Sequence, residues 1–133
     1  EKSFVDVVRE VTDGEGCAVV YEAIGKDTMQ QSLDSLRPMG VCAAYGHVSG
    51  PPDPIDIIQD LGRRGSLFIT RPAIMHYVAK RSDLEWTARD LFKAIGEGVL
   101  QANINYEYAL KEAVKAHGAI ESGKTLGATV LVP

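Results

Sequence analysis

The segment Gly118–Thr125, with the sequence GAIESGKT, matches the phosphate-binding pattern GxxxxGK[ST] at every specified position. In nucleotide-binding proteins this pattern follows a strand and opens a helix, so that backbone N–H groups and the helix dipole face the phosphates. Here a helical pattern precedes the segment and a strand pattern follows it. We therefore interpret the segment as the glycine-rich exit of a helix, with a surface lysine, rather than as a phosphate site.

The histidines and carboxylates do not form a recognisable catalytic or metal-binding set. His47, His76 and His117 are scattered, and none has a carboxylate or cysteine beside it at metal-ligand spacing. The acids between residues 53 and 60 are spaced as at a solvated helix entry rather than as an acid–base pair. We therefore expect neither a metal ion nor an obvious catalytic side chain.

Two segments that close short apolar runs are more informative. Ala23-Ile24-Gly25 and Tyr45-Gly46-His47 each end a run that is typical of a buried strand. In open parallel sheets, ligands bind outside the carboxyl ends of the strands, and glycine there lets a ligand approach the backbone. The alternative is that each glycine simply turns the chain. The residues alone leave both interpretations open.

Alternating helices and strands are needed to position these strand ends. Apolar spacing predicts helices at residues 4–12, 28–36, 55–65, 82–98 and 110–123, and strands at 17–25, 41–46, 66–72, 104–108 and 127–133. Asp27 and Ser82 are the expected N-caps of two of these helices, and Pro38–Gly40 is the expected end of the first of the two. The first strand lacks alternation, which predicts burial on both faces. The crossover lengths favour parallel strands and an α/β fold.

Length and composition are those of one globular domain. The 133 residues are 45% hydrophobic and 24% charged, which excludes a disordered chain. A net charge of −4 argues against a nucleic-acid groove, and no apolar run is long enough to span a membrane. Cys17 and Cys42 are too few for a disulfide framework. We therefore expect a reducing, cytoplasmic location without nucleic-acid or membrane partners.

The stretch VVYEAIGKDTMQQSLDSLRPMGVCAAYGHVSGP, residues 19–51, resembles a characteristic stretch of the quinone oxidoreductases. The likeness continues through GSLFITRP, DLFKAIGEGVL, YALKEAVKAH and ESGKTLGATVLVP. These proteins, which include zeta-crystallin, form the zinc-free branch of the medium-chain dehydrogenase/reductase superfamily. The resemblance is to their C-terminal portion. It implies the second half of a Rossmann-type doubly wound parallel sheet over residues 1–72, and a small α+β tail over 73–133 that returns to a catalytic domain.

The same resemblance implies a function. Family members transfer reducing equivalents from NADPH to a quinone or a related conjugated carbonyl without a metal. Because the cofactor carries the chemistry, the protein needs mainly to orient it and exclude water. The family also implies a homodimer that forms through the edge strand Ser66–Arg71. The alternative function is a non-catalytic dinucleotide-binding or structural, crystallin-like module.

The resemblance further implies which residues contact the cofactor. Ala23 and Ile24 would lie against its adenosine half, and Tyr45, Gly46 and His47 beside the nicotinamide ribose. His47 stands where the family has asparagine, and we expect a side chain at Gly46 to enter space that the cofactor needs. The remaining implied contacts are Phe68, Ile69 and Thr70 at the nicotinamide carboxamide, and Lys124 as a phosphate-facing cation.

Overall fold

The computed structural model describes residues 2–133, and the chain divides between Tyr77 and Val78 into two compact units. The first unit contains a three-stranded sheet and the second a two-stranded sheet, and both sheets are parallel. The predicted α/β class is therefore confirmed. In the part of the chain that the structure describes, no helix is long and apolar enough to cross a membrane.

In the first unit, the strands lie in the order β1-β2-β3. The elements are α1 (Phe4–Val11), β1 (Cys17–Glu22), α2 (Met29–Asp34), β2 (Leu36–Ala44), a π-helical segment α3 (Ile57–Gly62), β3 (Phe68–Thr70) and a short helix α4 (Ile74–Tyr77). Glu22 pairs with Ala44, and Thr70 pairs with Ala43. The carboxyl ends of all three strands therefore reach the same edge of the sheet.

The core of this unit lies on one face of the sheet. Its buried apolar residues are Met29, Leu33, Leu36, Cys42, Ala44 and Leu67. On the opposite face Val19 is 42% exposed and Tyr21 is 75% exposed. The expectation that β1 is buried on both faces is therefore wrong for this chain. Successive side chains of a strand point to opposite faces, and the helix α2 packs on only one of them.

The bounds of α2 differ from those that the sequence predicts. Asp27 is not its N-cap: Thr28 holds that position, and the Thr28 hydroxyl donates to the Glu22 carboxylate instead of capping the helix. The helix also ends before the predicted Pro38–Gly40 stop. Leu36 already pairs with Cys17 as the first residue of β2, so strand pairing ends the helix earlier than the proline does.

The second unit consists of α5 (Arg81–Gly96), β4 (Ile104–Ala109), a 3₁₀ turn (Leu110–Glu112), α6 (Ala113–Glu121) and β5 (Ala128–Val132). The helix α6 is the crossover between the two parallel strands. Ser82 is not a cap, since α5 begins at Arg81 with Lys80 as N-cap residue. Gly118 lies inside α6 and Gly123 follows it with φ of +68°, as expected for a helix exit rather than a phosphate loop.

Candidate functional site

A cavity of about 200 Å³ lies at the carboxyl ends of the neighbouring parallel strands β2 and β3. Its lining residues are Met29, Ala44, Gly46, His47, Pro51, Pro52 and Arg71. Most of these side chains are apolar, and the two polar side chains, His47 and Arg71, are exposed. The cavity therefore has an apolar floor and a basic margin.

Backbone hydrogen bonds join the loops that follow β1 and β2. The N–H groups of Tyr45 and Gly46 donate to the Glu22 carbonyl oxygen at 3.0 and 3.2 Å. Ser49 donates through its N–H and its hydroxyl to the Ile24 carbonyl oxygen, at 2.8 and 2.9 Å. The two segments singled out by their glycines, 23–25 and 45–47, therefore lie side by side. Their contacts with a cofactor stay a prediction.

Gly46 is required for the packing of these two loops. A Cβ built on it would lie 2.2 Å from the carbonyl oxygen of Ala23 and 2.7 Å from its Cα. Its φ is outside the left-handed region, so the constraint is space and not backbone strain. A side chain here would first meet the backbone that follows β1, so its effect on the packing of the two loops is expected before any effect on a cofactor. The expectation that it would also enter space that the cofactor needs stays a prediction.

Glu22 organises the turn after β1, and the sequence analysis missed it. The residue is only 3% exposed at the end of an otherwise apolar strand. Its carboxylate accepts hydrogen bonds from the N–H groups of Ile24 at 2.6 Å and Gly25 at 2.9 Å. The hydroxyls of Thr28 and Ser32 also donate to it. The sequence did contain a signal for this arrangement. An acidic residue ends an apolar strand, and residues with hydroxyl groups follow six and ten positions later.

Burial and hydrogen bonding shift the pKa values of two side chains, Glu22 and Cys42. Burial raises the pKa of the Glu22 carboxyl, but the hydrogen bonds from Ser32, Gly25, Ile24 and Thr28 outweigh it and leave that pKa lowered. Burial and, secondarily, the negative charge of Glu22 raise the pKa of the Cys42 thiol to about 11. Glu22 is therefore a structural anion, and Cys42 an unreactive thiol.

The three predicted contacts on β3 differ in their surroundings. Phe68 is 60% exposed, and Thr70 is also exposed at the end of the strand. Ile69 is half-buried and packs against the core. Lys124 belongs to the second unit, where it is exposed just after Gly123. The assigned roles of all four residues stay predictions.

Arg71 and His47 contact each other at the margin of the cavity. The Arg71 Nη2 lies 3.4 Å from the His47 Nδ1, and the Arg71 Nη1 lies 3.4 Å from the Pro72 carbonyl oxygen. Among residues 2–77, no carboxylate forms an ion pair with Arg71. The sequence analysis named Arg71 only as the last residue of the predicted edge strand and gave it no part in a binding site.

Among residues 2–133, no three His, Cys, Asp or Glu side chains come together in a way that could hold a metal ion. His47 has an arginine as its neighbour, and a cation is a poor companion for a metal ligand. The donors that tetrahedral zinc requires are therefore not assembled in this part of the chain.

Comparison with known proteins gives concordant similarities. Residues 1–131 match the family described as zinc-binding dehydrogenase. The chain is 52% identical to a 2-haloacrylate reductase of a Burkholderia species over 99% of its length, and 38% identical to a quinone oxidoreductase of Salmonella typhimurium over 100%. An Escherichia coli quinone oxidoreductase crystallised with NADPH superposes with a TM-score of 0.92 at 34% identity, over all of this chain and 41% of that one. The chain spans about 40% of the length of these curated relatives.

Proposed function

The chain belongs to the zinc-binding dehydrogenase family, and from this membership we propose that it is part of an oxidoreductase that transfers reducing equivalents from NADPH to a quinone or related conjugated carbonyl. The observation that carries the proposal is the cavity at the carboxyl ends of the neighbouring parallel strands β2 and β3. Relatives named quinone oxidoreductase and 2-haloacrylate reductase support the reaction type.

The strand ends fit the nicotinamide end of such a cofactor. The cavity has an apolar lining at the carboxyl ends of parallel strands, which is where open parallel sheets bind their ligands. When bound, NADPH supplies a hydride, and the protein supplies orientation and a dry surface. We propose that Ala23, Ile24 and Tyr45–His47 line its path, with Phe68–Thr70 beside the carboxamide and Lys124 facing a phosphate.

We propose that the reaction uses no zinc, despite the description of the family. Among residues 2–133 no group of donors fits a zinc ion, so we do not expect this part of the protein to hold one. No step is assigned to a metal. Replacing the buffer with one containing a strong chelator should leave the turnover of NADPH unchanged, and loss of activity that zinc restores would contradict the proposal.

The proposed function is tested with the full-length protein that contains this chain. We expect NADPH absorbance to fall when 1,4-benzoquinone is added. Ile24→Glu should weaken NADPH binding at least ~10-fold, because it brings a carboxylate to the path of an anionic cofactor. Met39→Glu, at an exposed position in the amino-terminal half of β2, is the matched control and should change binding less than about twofold.

Three outcomes separate the candidate functions. Turnover that is sensitive to Ile24→Glu and insensitive to Met39→Glu supports the oxidoreductase. Tight NADPH binding without turnover of any quinone or enone supports a non-catalytic module instead. No measurable binding of NADPH to the full-length protein would contradict both.

We also propose a homodimer that pairs Ser66–Arg71 with its copy. Within the first unit β3 is an edge strand with β2 as its neighbour, and SLFIT, residues 66–70, contains no internal proline, lysine or glutamate of the kind that protects an edge. Phe68→Pro removes one backbone donor from the strand. Sedimentation velocity should then shift from dimer to monomer. A wild-type protein that sediments as a monomer at micromolar concentration would contradict the proposal.

A reducing, cytoplasmic location is proposed as well. Cys17 and Cys42 are both free cysteines, and a buried free thiol is typical of proteins that stay in a reducing compartment. Fractionation of cells that express the tagged full-length protein should place it with cytoplasmic markers.

A further inference from the structure

We propose that Glu22 is a positioning residue for the cofactor site, and that it holds the wall of the cavity in place through other residues. The inference rests on the proposed oxidoreductase function and deepens it at the same site. Glu22 is not among the residues that line the cavity. Its carboxylate holds the β1 turn, residues 23–25, and that turn holds the β2 loop, residues 45–50, which places Gly46 and His47 in the cavity lining.

The carboxylate of Glu22 fixes the conformation of the β1 turn. A buried charge is stable only when hydrogen bonds replace its hydration, and Glu22 is 3% exposed. Its Oε1 accepts from the successive N–H groups of Ile24 and Gly25, at 2.6 and 2.9 Å. Gly25 has a φ of +96°, in the left-handed region that glycine adopts without a steric penalty. The side chain at the end of β1 therefore determines the path of the backbone that follows it.

The β2 loop is bonded to the β1 turn along most of its length. Carbonyl oxygens of residues 22–24 accept from four of its N–H groups, which belong to Tyr45, Gly46, Val48 and Ser49, at 3.0, 3.2, 3.3 and 2.8 Å. In the other direction, the Lys26 N–H donates to the Gly50 carbonyl oxygen at 3.1 Å. The two segments also touch, since a Cβ built on Gly25 would lie 2.9 Å from the His47 Cα. A shift of the β1 turn must therefore move the β2 loop.

The same carboxylate fixes a second part of the cavity lining. The hydroxyls of Thr28 and Ser32, at the start of α2 and within it, donate to Glu22. Met29 is the first residue of α2, and its side chain, which is 2% exposed, lines the cavity. Glu22 therefore joins the helix that supplies part of the floor to the loop that supplies part of the wall.

The position of the β2 loop matters for binding as well as for stability. The loop has no helical or strand structure of its own, so its position depends on the bonds to the β1 turn. A displacement of about 1 Å in a supporting segment can reduce the rate of an enzyme about 100-fold. Removing the carboxylate should therefore loosen cofactor binding in protein that is still folded.

The test replaces Glu22 by glutamine in the full-length protein. Amide hydrogen exchange without cofactor reports on the β2 loop directly, and the fluorescence of NADPH gives its Kd. We expect Glu22→Gln to speed the exchange of the four bonded loop amides at least ~10-fold and to raise the Kd about 10-fold. The substitution removes a negative charge, which by itself would favour an anionic cofactor, so weaker binding must come from displaced residues.

Two variants provide the controls. Leu33→Ala lies in the same helix and empties a fully buried core position, but it leaves the contacts of Glu22 in place. It should leave the loop exchange and the Kd within about twofold of wild type, at a temperature where both variants are folded. Glu22→Asp keeps the charge and both acceptor oxygens, and it should restore most of the NADPH affinity of the wild type.

Ser49→Ala tests the junction between turn and loop without a change in the core. The Ser49 hydroxyl donates to the Ile24 carbonyl oxygen and accepts from the Asp27 N–H, so its loss loosens the same junction. We expect a smaller rise of the Kd, about threefold. In the double variant the Kd should rise by less than the product of the two single effects, because both act through the β1 turn.

Four results would overturn the inference. These are wild-type exchange and Kd in folded Glu22→Gln, an equal loss of affinity in Leu33→Ala, effects of Glu22→Gln and Ser49→Ala that simply multiply, and, where Glu22→Gln does not fold, an unchanged loop in Ser49→Ala. Failure of the wild type to bind NADPH would count against the proposed function instead. The exchange measurements, which need no cofactor, would still test whether Glu22 positions the loop.

Discussion

Replacing Glu22 by glutamine should destabilise the first unit, because four donors converge on its carboxylate. Two are the backbone N–H groups of Ile24 and Gly25, and two are the hydroxyls of Thr28 and Ser32. The amide oxygen of glutamine can still accept from the backbone, but the amide nitrogen cannot accept from a hydroxyl. The substitution preserves shape and removes both the charge and part of the acceptor set.

The magnitude follows from the number and kind of bonds lost. A hydrogen bond to a charged group contributes about 1.5–3 kcal/mol and a neutral one roughly half of that. Losing the charge weakens the two bonds from Ile24 and Gly25, and the Ser32 hydroxyl must rotate to find another partner. We expect the free energy of unfolding to fall by about 2–4 kcal/mol, which is large against the ~5–15 kcal/mol of a typical domain. Urea denaturation followed by circular dichroism measures it.

The pH dependence gives a signature that a simple packing defect lacks. The folded-state pKa of Glu22 is lowered from its ordinary value of 4.5, so the ionised carboxylate contributes stability that is fully present above about pH 4.5. That contribution is lost as the pH falls through the lower folded-state pKa. The difference between wild type and Glu22→Gln should therefore be largest near neutral pH and shrink on acidification.

The control is Glu15→Gln, which removes an exposed carboxylate from the turn before β1. It should change the free energy of unfolding, as measured by urea denaturation, by less than ~0.5 kcal/mol, because most surface substitutions have effects of this size. Two results would refute the reasoning: a deficit for Glu22→Gln no larger than that of Glu15→Gln, or a deficit that stays constant down to the acid transition.

Three further substitutions or reactions probe the same unit. Gly46→Ala should lower the free energy of unfolding by roughly 1–3 kcal/mol, because its Cβ would lie 2.2 Å from a backbone carbonyl oxygen. Gly62→Ala, whose Cβ would have its nearest neighbour at 3.5 Å, is the control, and equal urea midpoints would contradict the clash. Leu33→Ala empties a core position with 0% exposure and should cost about 2–5 kcal/mol, so an unchanged Tm would place Leu33 outside the core. Cys42, with its thiol pKa raised to about 11, should be alkylated by iodoacetamide more slowly than Cys17 in the native protein, and equal rates by mass spectrometry would contradict its burial.

Much of the fold could be predicted from local patterns. The apolar runs that begin at Cys17 and Ile104 became strands, and the helical spacing around Leu91 became α5. Helix or strand periodicity is a property of neighbouring residues, so the sequence carries it directly. For the same reason, the sequence predicted that Gly118–Thr125 lies at the exit of a helix and not in a phosphate loop. In the structure a helix leads into this segment and a strand follows it.

The errors have a common cause. Asp27 is a good N-cap by residue type, yet a hydroxyl that belongs to the buried network of Glu22 holds the cap position. Pro38 is a good helix terminator, yet pairing of Leu36 with Cys17 ends the helix first. In each case a contact between distant residues outweighed a local preference that is worth about 1 kcal/mol.

The sequence by itself therefore determined the class of the fold, its alternating elements, the strand-end segments and the resemblance to a family. Only the tertiary structure decided that Glu22 is buried among four donors, that the space beside Gly46 belongs to Ala23, and that Arg71 meets His47. His47 and Arg71 are 24 residues apart in the chain and 3.4 Å apart in the structure. The parallel register of β2 and β3 brings them together, and the side chains of the two loops decide the contact. No pattern of neighbouring residues encodes such a distance, because it depends on how separate strands pack.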